Sequence, residues 1–441
     1  MSLSKWSKGD TTLSSSYIYG DNSIANQKTG LIYGVKLNGT QQLGYEYDEL
    51  ARLQRRSLYT TTPFATEYTY LEGANANTTT TLVKTAENGN DILEYTYDEI
   101  GNITSVSKNG TVIEQYAYDA LSQLISATYG GNTYTYSYDN GGNLTEIKKN
   151  DEVIKTYTYG NSEWRDQLTG SNGETITYDE IGNPLIYRNG INLTWQNGRQ
   201  LASVTQNGSP LATYTYNADG LRNSKTVNGI TTEYYWQNGT LYGQKSGDEN
   251  IFYLYDENGS AYGFIYKNLT EQSHYYYEFN LQGDIIGIID STGTRVVAYT
   301  YGAWGDLISI TGTLAETIGH KNPLRYRGYY YDAETGFYYV SSRYYDPEIG
   351  RFINADGEME GIGGEVLGYN LFAYCFNNPI NMSDPTGNWP KWVTGALNMV
   401  SGVAQMVAGA ALGATVGWTG IGAVAAGFLI ANGAGTATKG V

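Results

Sequence analysis

The chain has 441 residues, 44 of them tyrosine and 55 glycine, with eight prolines, one cysteine and two histidines. Asp and Glu outnumber Lys and Arg by 44 to 27, a formal charge of −17 that speaks against a phosphate-binding, nucleic-acid interface. The single cysteine, Cys375, excludes an internal disulfide framework and reads as a small core residue, and two histidines leave little scope for a His-based metal site.

The length suits either two or three ordinary domains or one extended repeat array. Tyrosine at this density favours strands, where a flat ring packs on a pleated surface while its hydroxyl finds water or a partner. At the N-terminus, MSLSKWSKGDTTLSSS carries positive charge with no apolar run behind it, so no secretory signal is read. Export is therefore expected by a specialised route, or as part of a longer polypeptide.

From Tyr45 the chain returns repeatedly to aromatic-x-aromatic-Asp/Asn, then Gly or Asn, then an aliphatic residue. The clearest copies are YEYDELARL at Tyr45, YTYDEIGNI at Tyr95, YAYDALSQL at Tyr116 and YSYDNGGNL at Tyr136. Weaker copies at Tyr157, Ile176, Leu193, Tyr214, Tyr234, Tyr253 and Tyr299 keep a step of about twenty residues. Within a unit, an extended run from Ile103, the pair Asn109-Gly110 and a second run ending at Tyr116 and Tyr118 predict a β-hairpin, because Asn-Gly tolerates both positive φ values of a type I′ turn. The same pair stands at Asn38, Asn88, Asn189, Asn207 and Asn228. Tyr116 and Tyr118, two apart, are expected on one face, and the Asp that follows is expected to bond the backbone of the next turn. Isolated hairpins are marginal, so the units should pair edge to edge in one long antiparallel sheet that coils through its accumulated twist into a hollow or solenoidal structure. Turn chemistry accounts for YDENGSAYG and YNADGLR without a calcium ion.

The recurring YxYDxxGN units resemble YD repeats. NPLRYRGYYYDAETGFYYVSSRYYDPEIGRFINAD, from Asn322 to Asp356, and NLFAYCFNNPINMSDPTG, from Asn370 to Gly387, resemble the Rhs-associated core. The chain is thus similar to the Rhs/YD-repeat family over most of residues 40–387. That resemblance implies a strip of hairpins spiralling into a cocoon, plugged by the core, with a variable C-terminal toxin held inside. In bacterial members the core resembles an aspartyl autoprotease that cuts just after the DPxG motif. On this resemblance Arg343 of RYYDP, Asp356 of FINAD and Asp384 of DPTG occupy the catalytic places, with no metal or cofactor required. The chain departs from the family pattern at Gly357, where proline is usual, in the lengthened GEMEGIGGEVLG, and at Asn388, where leucine usually precedes the cut. Chemically, two carboxyls in an enclosed, low-dielectric space do not both ionise cheaply, so one can serve as acid and the other as base, with Arg343 holding the ionised partner or polarising the scissile carbonyl. The competing reading of these three side chains is a buried ion cluster that fixes the plug.

After Pro390 the composition changes. No charged residue stands between Lys391 and Lys439, and the apolar stretches Val393 to Val416 and Ile421 to Ile430, separated by GWTG, read as a helical hairpin. The first is long enough to span a bilayer, and Gly409 and Gly413 suit close helix contact. A membrane-translocation segment, a linker packed on the inner wall and a membrane anchor are the three readings.

The expected fold is therefore all-β: a spiralling antiparallel sheet of hairpins over 1–320, a core plug over 321–387, and an apolar helical tail over 388–441 that precedes an absent effector. The expected function is containment and delivery of a polymorphic toxin in bacterial competition, with autoproteolysis as its only chemistry and secretion or the cell surface as its location. Its expected partners are its own effector, export machinery, and a membrane at 393–430. The alternatives are a surface adhesin that binds glycans through exposed tyrosines, and a truncated remnant whose shell fails to close.

Overall fold

The computed structural model describes residues 3–8, 11–24, 27–73, 78–357, 369–388 and 391–392. Its hairpins form where the turn chemistry demands. Asn109 (φ 50°) and Gly110 (φ 78°) link Ile103–Lys108 to Thr111–Tyr118 in the two-residue loop expected, and Asn38-Gly39, Asn207-Gly208 and Asn228-Gly229 do the same. The turn asparagine also ties neighbouring hairpins together, since Asn109 Oδ1 accepts from the Ile92 amide at 2.8 Å and Asn150 Oδ1 from Thr133 at 2.9 Å.

Two of the Asn-Gly pairs behave otherwise. Asn88 pairs with Asp91, so that loop is Gly89 and Asn90, and the buried Asn88 side chain donates to Glu278 Oε1 at 3.1 Å. Asn189 and Gly190 lie in a three-residue loop closed by Tyr187 N to Ile191 O at 2.8 Å.

At the opposite hairpin ends the repeat aspartate organises the turn. Asp98 Oδ1 accepts from the amides of Ile100 at 3.1 Å and Asn102 at 2.8 Å, and Oδ2 accepts from the Asn102 side chain at 2.8 Å. Asp119 with Gln123, Asp139 with Asn143 and Asp179 with Asn183 repeat that pattern. The spacing from Asp to Asn in the motif is thus a closed hydrogen-bonded turn.

The two aromatic rings of a unit have separate tasks. The first is core: Tyr45, Tyr95, Tyr136, Tyr214, Tyr253 and Tyr299 are all buried. At the second, the ladder slips by one residue, as between Ala117 and Tyr118, Ser137 and Tyr138, and Thr300 and Tyr301. This bulge, invisible to a reading by alternation, changes what the second ring can reach. Tyr118 donates to Ile103 O at 2.7 Å, Tyr138 to Leu124 O at 2.7 Å and Tyr301 to Ile285 O at 2.8 Å, each one repeat back. Trp195 and Trp236 make the same bond through Nε1, to Pro184 O and Arg222 O at 2.7 Å, so Tyr and Trp interchange because each carries a donor at its tip.

The expectation of one continuous sheet is corrected. Strands follow one another in strict chain order, but a 16-stranded sheet ends at Glu174–Thr175 and a 14-stranded sheet begins at Thr177–Tyr178. The unit at Tyr157 is followed by GNSEWRDQLTG instead of an Asp turn. Pairing thins there to strands of two residues, and Ile176 bonds back to Thr169 O at 2.9 Å.

Bulge-driven bending brings the second sheet over the first. Thr61 and Thr62 donate to Ser291 O at 3.0 Å and Thr292 O at 2.9 Å, and Tyr276 donates to Gln42 at 2.7 Å. One cluster of buried side chains runs from Leu13 through both sheets to Met382, so the interior is packed. A cavity of about 290 Å³ remains between 88–116 and 278–303, bordered by Tyr326, Arg327 and Ile380. At about 30 Å³ per water it has room for roughly ten waters and not for a folded effector.

The expected helical tail lies outside the described residues beyond Asn388, apart from Lys391–Trp392, which pair as a short strand with Met382–Ser383. Among the described residues no helix is long and apolar enough to cross a membrane.

Tyr138→Phe removes the hydroxyl donor to Leu124 O and is expected to lower stability by about 1 kcal/mol, measured as a fall in the urea midpoint. A second prediction concerns the contact between the sheets, where buried Asp256 meets Tyr45 Oη at 3.4 Å and burial raises its carboxyl to about 7. An unfolded Asp titrates near ~3.9. The stability tied to this proton is therefore complete below that value and lost as pH rises through 7. Asp256→Asn is expected to flatten the fall in stability between pH 4 and 8, and equal slopes in variant and wild type would refute this.

Candidate functional site

The core that follows the second sheet is built around rings. Tyr330–Asp332, Phe337–Val340, Arg343–Asp346 and Arg351–Phe352 form a four-stranded antiparallel sheet, and Tyr345 stacks on Tyr374 at 4.0 Å. Its seam with the shell is polar. Asn370, Asn377 and Asn378 donate, each at 2.9 Å, to Asn143, Gln123 and Asn102, the residues that close three consecutive Asp turns. Asn381 Oδ1 accepts from the Ile103 amide at 2.8 Å. The core is therefore registered, amide to amide, against the repeat.

Charge fixes the other side. Arg188 holds Asp346 through two bonds, at 2.6 and 3.0 Å, and Arg222 holds Asp332 at 2.5 and 3.1 Å, with Lys225 adding 2.8 Å to Asp332. Arg222 is fully buried among Tyr214, Tyr234, Tyr330 and Tyr339, whose faces lie 4.4 to 5.5 Å from its guanidinium carbon. Burial opposes the charge on Asp332, but the neighbouring Arg222 overrides it and holds the carboxyl below its usual range. Sequence reading passed over Arg222, although YTYNADGLR carries it where the other units have buried Ile103, Leu124 and Leu144. A charge in an apolar register position signals a buried ion pair.

The three residues singled out from sequence lie together. Ser341 (φ 52°) allows the tight turn that pairs Val340 with Arg343 and sends the Arg343 side chain inward. One Arg343 nitrogen, Nη2, lies 3.0 Å from Asp356 Oδ2 and 3.3 Å from Asp384 Oδ2. Nη1 donates to Leu371 O at 3.0 Å, Nε to Gly387 O, and the guanidinium lies over Phe352 at 3.5 Å. Burial pulls the Arg343 cation below its ordinary value, against the two carboxylates that support it.

Asp356 is placed by its own amide on Leu371 O at 2.9 Å and by Ala355 N on Gly182 O at 3.1 Å, a repeat turn. The Asp384 amide donates to Tyr329 Oη at 2.7 Å, and Asp384 Oδ1 accepts from Gly387 N at 2.9 Å and Asn388 N at 3.1 Å. The DPTG stretch is thus an aspartate-capped turn, whose other carboxylate oxygen faces the guanidinium. Cys375 is buried, and burial pushes its thiol well up, the setting of a core residue. Among the described residues no group of His, Cys, Asp and Glu is arranged to hold a metal ion.

The sequence pattern of the teneurin YD-shell matches residues 111–382. The chain belongs to the teneurin YD-shell family. As a YD shell of the Rhs/YD-repeat kind, it is 38% identical over 237 residues to tRNA nuclease WapA of Bacillus subtilis, covering 52% of this chain and 10% of that protein. It is 46% identical over 65 residues to toxin protein Tse5 of Pseudomonas aeruginosa, covering 15% of this chain and 5% of Tse5. The shell therefore spans about a tenth or less of the length of these relatives. Its fold is similar to part of a chain in the structure of the Photorhabdus luminescens Tc holotoxin pore, with a TM-score of 0.65 at 19% identity over 86% of this chain and 20% of that one.

The turn that carries Asp384 depends on one glycine. Gly387 has φ +76°, and a Cβ there would lie 2.5 Å from Val340 O and 2.6 Å from Ser342 Oγ. Gly387→Ala is expected to cost about 2 kcal/mol or more, read as a lowered melting temperature.

Proposed function

We propose that the chain closes the end of a toxin-type YD shell and cuts its own backbone after the DPTG turn, between Asn388 and Trp389, to free an effector carried on the same polypeptide. The observation that carries the reading is the convergence of Asp356 and Asp384 on one nitrogen of Arg343, whose Nε also engages the Gly387 carbonyl. In the proposed reaction water adds to the Asn388 carbonyl carbon. One aspartate takes a proton from that water, while the other delivers one to the departing Trp389 nitrogen. The C–O bond forms, the C–N bond breaks, and Arg343 supplies a fixed positive charge beside the developing oxyanion. No metal or cofactor enters.

Similarity to a protein named a tRNA nuclease and to one named a toxin supports a common shell with differing cargo. The packed interior argues that containment belongs to a larger shell, of which this chain forms the closing end. Action outside the producing cell follows from that role. The apolar stretch at 393–430 would then belong to the released part, where its composition suits lining the shell or meeting a membrane.

The test is intact mass of the full chain over time. Wild type is expected to split into bodies ending at Asn388 and starting at Trp389, whereas Asp384→Asn and Asp356→Asn are expected to slow this at least ~100-fold with circular dichroism unchanged. A wild-type chain that stays whole under native conditions would leave the three residues as an ion cluster that fixes the plug.

A further inference from the structure

We infer that Ser342 positions the segment to be cut and selects asparagine at 388; the inference rests on the self-cleavage reading above. Ser342 sits in the two-residue turn between Val340 and Arg343, directly before the arginine. Its Oγ lies 2.7 Å from Thr386 O and 2.9 Å from Asn388 Oδ1, and its amide reaches Thr386 O at 3.4 Å. Arg343 Nε takes the carbonyl between them, Gly387 O. Two adjacent residues therefore hold three successive residues of the turn ahead of the proposed scissile bond.

The proton count settles how. A serine hydroxyl has one proton and two lone pairs. Thr386 O is a backbone carbonyl that can only accept, and at 2.7 Å it is the nearer of the two contacts and poorly served by the Ser342 amide at 3.4 Å, so the proton is assigned there. The Asn388 side chain must then meet Ser342 with its NH2 end, which is the same planar amide turned by half a rotation. Ser342 thus donates to residue 386 and accepts from residue 388. A carboxylate at 388 offers no proton, and leucine, of the same shape, offers neither donor nor acceptor. Only an amide fits both the length and the polarity of this contact.

The result is a carbonyl carbon at 388 fixed from two sides. Asp384 Oδ1 holds the Asn388 amide at 3.1 Å, and Ser342 holds its side chain. Cleavage needs that carbon held against the carboxyls, and loss of one tether lets it swing away.

The experiment follows the mass of the full chain in wild type, Ser342→Ala, Ser342→Thr, Asn388→Asp, Asn388→Leu and the double variant Ser342→Ala with Asn388→Leu. Ser342→Ala is expected to slow the cut about tenfold, and Ser342→Thr, which keeps the hydroxyl, to recover it to within about threefold of wild type. Asn388→Asp should be slower than Asn388→Leu. The double variant should be no slower than Ser342→Ala alone, since both changes remove the same contact. Wild-type rates in Ser342→Ala, or effects that multiply in the double variant, would overturn the assignment. If the wild-type chain is not cut at all, self-cleavage fails separately, and amide exchange decides the tether. Faster exchange at Gly387 and Asn388 in Ser342→Ala upholds it, and unchanged exchange overturns it.

Discussion

Repeat after repeat leaves a fault in its own sheet that a Tyr or Trp of the next repeat mends. At the second aromatic of a unit the ladder gains a residue: Tyr118 pairs with Leu124 and Ala117 with Ser126, so Ile125 is inserted. The carbonyl beside the insertion, Leu124 O, accepts the hydroxyl of Tyr138, one unit later. Ile103 O beside inserted Thr104 and Arg222 O beside inserted Asn223 are met in the same way by Tyr118 and Trp236. An unpaired buried carbonyl costs on the order of 1–3 kcal/mol, so a single unit is poorly stable alone and a row of them is mutually stabilised. The same bulges bend the strip, which makes curvature and cooperativity two consequences of one bond.

That dependence explains which parts of the structure sequence reading reached. Asn-Gly turns and Asp-capped turns are local, and their residues state their φ values and hydrogen bonds in a few letters. Bulges are not local in that sense. Tyr116 and Tyr118 are half-buried with exposed Ala117 between them, as alternation predicts, but the residue inserted opposite them shows only in the pairing with the strand from Leu124. Asn88 misled for a related reason, since its partner Glu278 lies 190 residues on and outweighs its local preference for the turn. Arg222 was readable in principle, as a cation at a position of buried aliphatics, but its partner Asp332 could be named only with coordinates. Arg343, Asp356 and Asp384 came from resemblance, because 41 residues separate the first from the last and no spacing rule connects them.

The seam between shell and core uses polar contacts where an apolar one would be more stable. Buried ion pairs such as Arg188–Asp346 and Arg222–Asp332 gain little net stability over well-packed apolar residues, yet losing one partner costs several kcal/mol. Together with the three amide pairs from Asn370, Asn377 and Asn378, they make docking strongly dependent on register. A core shifted by one repeat would bury unpaired charges and amides at once. An apolar seam would tolerate such slips.

Register matters because the candidate site is not wholly the core's own. Asp384 and Arg343 belong to it, and their turn is closed by Gly387. Asp356 is held beside the guanidinium from both bodies, by its own amide on Leu371 O in the core at 2.9 Å and by Ala355 N on Gly182 O, in the Asp179 turn of the shell, at 3.1 Å. The geometry around Asp356 therefore draws on contacts from both the core and a shell turn, whereas the Asp384 turn is the core's own.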